Sequence, residues 1–87
     1  MKIIKRSGQE VEFNKEKIVD AVRKANKEMM ESAKITDEQI IALADSVEQE
    51  CSAMVRSAHV EEVQDMVENR LMDLKAFALA RKYITYR

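Results

Sequence analysis

Four cations near the start of the chain are spaced for anion chemistry. Lys5 and Arg6 precede the pair Ser7-Gly8, and Lys15 and Lys17 follow Asn14. Asn14 reads as a helix N-cap, because its side-chain oxygen can accept from the free amides of a first turn. That end of a helix carries partial positive charge, so a lysine there costs roughly 0.3 kcal/mol. Glu16 offsets part of the cost. The arrangement makes sense where an anion occupies the same end. Free amides and the dipole hold phosphate, a lysine adds a point charge, and an arginine can grip two oxygens at once. On this reading Lys5, Arg6 and Lys17 form a polyphosphate cradle. The competing reading of the same residues is structural: a surface Lys5–Glu10 cross-strand pair worth little, beside a solvated Lys17.

Other chemistry is thinly represented. A single cysteine rules out a disulfide framework or a Cys-rich zinc site, and a single histidine rules out a two-histidine metal site. Cys51 falls on an apolar helical stripe and reads as a buried, inert thiol. His59 reads as a cap or loop residue, and Glu61, Glu62, Asp65 and Glu68 as a solvated acidic stripe. No P-loop, dinucleotide glycine fingerprint or catalytic triad pattern is present, so no catalytic or metal-binding residue is assigned and the chain does not read as an enzyme.

Charge is distributed unevenly along the chain. Residues 1–27 carry eight Lys/Arg against four acids, residues 28–74 three against twelve, and residues 75–87 four against none, for a net charge of −1. If the two ends meet, they place one positive site on an acidic body, which suits a compact anion better than a long polyanion such as DNA. Chance clustering on a solvated surface is the plainer alternative.

The elements that must position these residues follow from the pattern. A chain of 87 residues makes one domain, 1–87, and one glycine with no proline favours long helices over an all-β fold. Residues 2–6 and 9–13 flank Ser7-Gly8 as a β-hairpin, with Ile4 facing Val11 and Lys5 facing Glu10 in a two-residue-turn register. A first helix follows near 15–31, with Ile18, Ala21, Val22, Ala25 and Met29 inward. A second starts after Thr36, where Thr36 and Gln39 fit a capping box, and buries Ile40, Ala44, Val47, Cys51 and Met54. A third runs from about Val60 to Asp73 with Val63, Val67, Leu71 and Leu74 on one face. A fourth runs from about Lys75 to Arg87 with Phe77, Ala80 or Arg81, and Ile84 inward. The fold expected is α+β and mostly α: a small N-terminal hairpin or sheet capping a four-helix bundle. No apolar run has the length of a transmembrane span or signal sequence, so a cytoplasmic protein is expected, with no membrane partner.

Three stretches together resemble a known family. Ile3-Ile4-Lys5-Arg6-Ser7-Gly8 followed by Val11-Glu12-Phe13-Asn14 and Lys17-Ile18 resembles the start of the ATP-cone domain, an allosteric nucleotide sensor at the N-terminus of many ribonucleotide reductases. Val60 to Glu68, Leu71-Met72 and Ala80 to Arg87 resemble its closing half, and the match covers essentially the whole chain. The closing Tyr83-Ile84-Thr85-Tyr86-Arg87 looks most like the version on anaerobic (class III) ribonucleoside-triphosphate reductases. The resemblance implies ATP or dATP, with or without Mg²⁺, bound between sheet and helices and not hydrolysed. It implies Ile3 by the adenine with its backbone toward the base edge, and Lys5, Arg6 and Lys17 on phosphates. Asn14 would stand near the sugar or phosphates, and Val60, Gln64, Tyr83 and Arg87 would close the pocket. Partners would be a reductase catalytic domain or further copies of the chain. Ser7 departs from the acidic residue usual before the glycine. The chain ends where a reductase would continue into its catalytic barrel, so it reads as either an excised domain or a free-standing cone. Two other classes stay open on the residues alone: a small DNA-binding module using the basic first helix, and an oligomerisation or protein-interaction bundle.

Overall fold

The hairpin forms one residue out of the expected register. In the computed structural model, which describes residues 1–86, β1 (Lys2–Ile4) pairs antiparallel with β2 (Glu10–Glu12), Ile3 opposite Val11 and Ile4 opposite Glu10. The connection takes three residues, Arg6-Ser7-Gly8, rather than two. The Gly8 amide donates to the Lys5 carbonyl and the Lys5 amide to the Gln9 carbonyl, each at 2.8 Å. Gly8 sits at φ +88°, a conformation a β-carbon would strain. A one-residue slip exchanges the faces of a strand. Ile3 is therefore the buried isoleucine and faces Val11, while Ile4 is only half-buried. Lys5 falls opposite Gln9, on the face of Ile3, and the expected Lys5–Glu10 pair does not form.

A third strand went unread in the sequence. β3 (Ala58–His59) lies parallel to β1, giving the order β2-β1-β3. Its chain runs straight into a helix, so the sheet holds the start of that helix beside the hairpin.

The four helices expected are present among the described residues: α1 (Lys15–Lys27), α2 (Asp37–Ala53), α3 (Val60–Asp73) and α4 (Phe77–Tyr86). Asn14 caps α1, its Oδ1 accepting from the Glu16 amide at 3.0 Å. α1 ends earlier than its apolar spacing implies. The side chain of Asn26 pairs with both backbone groups of Ile35, each at 3.0 Å, and a short 3₁₀ turn at Glu31–Ala33 bridges the reversal. The Thr36–Gln39 capping box opens α2 as read. α3 ends in a left-handed turn at Lys75 (φ 61°), where the Ala76 amide reaches back to Leu71 and the Lys75 amide to Met72.

That turn decides two departures. Leu74 and Phe77, expected inside, are swung outward and exposed, as is Ile84. α4 carries apolar residues on two faces; it buries Ala80 as expected, but with Leu79 and Tyr83 rather than Phe77 and Ile84. α1 packs on α2 and α4, and α3 packs on the same two helices, so the bundle closes on itself. Val22, Ala25, Val47, Val67, Leu71 and Leu79 are sealed at its centre. No helix among the described residues is long and apolar enough to cross a membrane.

Candidate functional site

The sheet does not lie flat on the bundle. A cavity of about 280 Å³ opens where its inner face meets the start of α1, the first turns of α3 and the end of α4. Each element contributes at its own period. Ile3 and Lys5 are two apart on one face of β1 and its continuation, and Val11 and Phe13 are two apart on β2 and just beyond it. From α1 come Lys17, Ile18 and Ala21, after the cap Asn14. Val60, Val63 and Gln64 stand at successive i, i+3 and i+4 positions of α3, and Tyr83 and Tyr86 at i, i+3 of α4. The wall is thus mostly apolar, with the cations Lys5 and Lys17 set beside the capped helix end.

The electrostatics separate neighbours sharply. Lys15 turns away to α2, where its Nζ donates to Asp45 Oδ1 at 2.7 Å and lies 4.0 Å from Glu48. The hydrogen bond to Asp45 raises the Lys15 pKa. Lys17, two residues on, has no carboxylate within ion-pair distance among the described residues, and neither has Lys5. The acid that does line the cavity, Glu12, is already engaged. Lys2 and the terminal amine each approach it at 3.1 Å and hold its carboxyl below the usual range. Gln64 carries a buried side-chain oxygen with no hydrogen-bond partner among the described residues. A buried acceptor in this condition favours any donor that enters.

Of the residues read from the sequence, Ile3, Lys5, Asn14, Lys17, Val60, Gln64 and Tyr83 all line this one cavity. Arg6 does not. It sits in the hairpin turn with its Nε 3.4 Å from Glu61 of α3. Arg87 lies outside the described residues. Ile3 contributes its side chain. The bonded pairs Lys5–Gln9 and Met1–Phe13 alternate along the hairpin, so both main-chain groups of Ile3 are engaged with Val11. A base edge would have to share its carbonyl. Tyr86 joins the lining, its i, i+3 spacing from Tyr83 marking the same face of α4. Val11, Phe13, Ile18, Ala21 and Val63 also join the lining, and their apolar character gave only a core signal.

The remaining chemical candidates are quiet. Cys51 is buried, and burial raises its thiol pKa. His59 caps α3 as expected, its amide donating to Glu62 Oε1 at 2.9 Å. The acidic stripe is less solvated than read: Arg56 grips both oxygens of Glu62 at 2.7 and 2.8 Å. No group of three or more His, Cys, Asp or Glu that could hold a metal ion occurs among the described residues.

Comparison with known proteins places this geometry in a family. Across its full aligned length the chain is 33% identical to the ribonucleoside-diphosphate reductase subunit alpha of Chlamydia trachomatis serovar D, and equally to that of Chlamydia muridarum. Each match takes in the whole of this chain but spans only 9% of the relative's length. The profile of the ATP cone domain matches residues 1–87, and the chain belongs to that family.

Proposed function

We propose that the chain is an allosteric regulatory domain that binds ATP or dATP in the cavity beneath the sheet and does not hydrolyse them. The observation that carries the reading is the pair Lys5 and Lys17. Two cations without acidic partners among the described residues flank a capped helix N-terminus and an apolar pocket. Charge left unpaired on a protein is a standing repulsion unless an anion relieves it. The apolar wall suits a base, and the free acceptor on Gln64 suits an exocyclic amino group such as that of adenine. Pockets for small ligands begin at about 300 Å³, and in this reading the cavity takes the base and sugar while the phosphates reach the lysines that line it. Mg²⁺, where it takes part, enters on the phosphates.

The host in this reading is a cytoplasmic ribonucleotide reductase, and the closing Tyr83-Ile84-Thr85-Tyr86 favours the anaerobic, triphosphate-reducing type. The relatives named above are diphosphate reductases, so that finer assignment rests on the closing motif alone. The partner is the host's catalytic domain or a second cone. ATP and dATP differ by one hydroxyl. A buried hydroxyl contact is worth about 1 kcal/mol, and allosteric couplings run to about 1–3 kcal/mol. The ligand shifts the domain between arrangements only through its different affinity for them.

A melting curve with ATP, dATP, GTP and no nucleotide tests the proposal. Adenine nucleotides at a hundred times their dissociation constant should add about 2.7 kcal/mol of stability. A flat response to all three, or an equal response to GTP, overturns it. Free phosphate released over hours of incubation would overturn binding without hydrolysis.

A further inference from the structure

Arg6 is a cation of the hairpin that the cavity leaves out, as it leaves out Lys2, and the sheet brings β1 and the start of α3 side by side. β1 runs parallel to β3 with Ile3 opposite Ala58 and Ile4 opposite His59. Two residues past the last strand pair stand Arg6, in the hairpin turn, and Glu61, in the first turn of α3. Their side chains meet there, Nε to Oε2 at 3.4 Å. Glu61 follows Val60, which lines the cavity, and Arg6 follows Lys5, which lines it too, so the pair joins the residues next to two of the lining positions. Its neighbour Glu62 is occupied by Arg56, which leaves Arg6 as the cation within ion-pair distance of Glu61 among the described residues.

We propose that Glu61 is an affinity-lowering latch: its carboxylate holds Arg6 out of the anion site, and an entering polyphosphate must take the guanidinium from it. The idea rests on the nucleotide reading above. Both partners are well exposed, at 66% and 52% of their side-chain surface, and the contact is single rather than forked. Such a pair is weak enough to open. A triphosphate offers more negative charge and a bidentate geometry, so it wins the exchange once Lys5 and Lys17 have drawn it close. The latch thus sets the affinity without touching the base. It also ties the hairpin turn to the first turn of α3, two elements that binding would release from one another.

The test is calorimetric titration of the full chain with ATP, using wild type, Glu61→Gln, Arg6→Ala and the double variant. Removing the latch should tighten ATP binding about two- to five-fold, the range an exposed pair spans. The gain should vanish when Arg6 is already alanine. An unchanged or weaker affinity in Glu61→Gln overturns the latch. So does a gain that persists in the Arg6→Ala background, since Glu61 would then act by plain repulsion of the ligand. A wild-type chain with no affinity for ATP brings down the nucleotide reading itself, which separates the two failures. Matching melting curves without ligand confirm that the variants stay folded.

Discussion

The seam between α2 and α3 and the cavity beneath the sheet both hold cations, and they treat them in opposite ways. At the seam Arg70 is engaged through all three nitrogens: its Nε donates to Ser46 Oγ, its Nη2 to Glu50 Oε1 and its Nη1 to the Met66 carbonyl. At the cavity Lys5 and Lys17 have no acid at all among the described residues, and the one lining carboxylate is taken by Lys2 and the terminal amine. A satisfied cation has spent its electrostatic attraction on the fold. An unsatisfied one keeps it for a ligand and costs the unliganded fold a little repulsion. Under the proposed function, the difference gives stability to one region and recognition to the other.

The sharpest break of that division is to remove the free cations. Lys5→Ala and Lys17→Ala should each weaken ATP about tenfold, and together about a hundredfold, since a hydrogen bond to a charged group is worth about 1.5 kcal/mol or more. Neither should lower the melting temperature without nucleotide. Calorimetric titration beside a melting curve checks both halves. Affinity unchanged in both variants would remove the phosphate role. The mirror-image variant is Arg70→Ala. It should cost about 1–2 kcal/mol of stability, or roughly 5–10 °C for a domain of this size, while the affinity of the folded fraction for ATP holds. An Arg70 variant that melts normally but binds poorly would invert the comparison.

How much of this was legible in the sequence depended on the length of the signal. Capped helices announced themselves: Asn14 and the Thr36–Gln39 box are local, and each sets a boundary within a residue. The helix ends governed by distant contacts did not. Nothing near Lys27 says that Asn26 will clasp Ile35 and turn the chain. The face of α4 was ambiguous because Phe77 and Ile84 make as good a stripe as Leu79 and Tyr83, and only the left-handed turn at Lys75 selects between them. β3 is two residues long, too short for an alternation to register. The cavity's cations were visible as types and spacing, yet the diversion of Arg6 to Glu61 required the parallel register of β1 and β3.

A smaller effect distinguishes the closed pairs by pH. Arg56, with help from the His59 amide, holds the Glu62 carboxyl down from 4.5 to about 2. A carboxylate with a lowered pKa adds stability that is complete above its ordinary value and lost as pH falls through the lowered one. Wild type should therefore lose stability between pH 4.5 and pH 2, and Glu62→Gln should lose less across that interval, as followed by denaturant midpoints. Glu12 and Asp37 are also held down by basic partners, so the slope is reduced rather than abolished. Because the pair lies away from the cavity lining, ATP affinity at neutral pH should not change.

The finest test uses two lysines in one helical turn. Lys15 is bound to Asp45, so Lys15→Ala should lower the melting temperature of the unliganded chain. Lys17 has no acidic partner among the described residues and faces the positive end of the helix dipole, so Lys17→Ala should raise it, by about 1–2 °C for roughly 0.3 kcal/mol. The same two changes should act on ATP in reverse order, Lys17→Ala weakening it and Lys15→Ala leaving it nearly alone. The alternative in which Lys17 is merely solvated predicts no effect of Lys17→Ala in either measurement. Opposite signs in both would mean that the first turn of α1 divides its charges between holding α2 and holding a ligand, and that the second task is carried at a small standing cost to the fold.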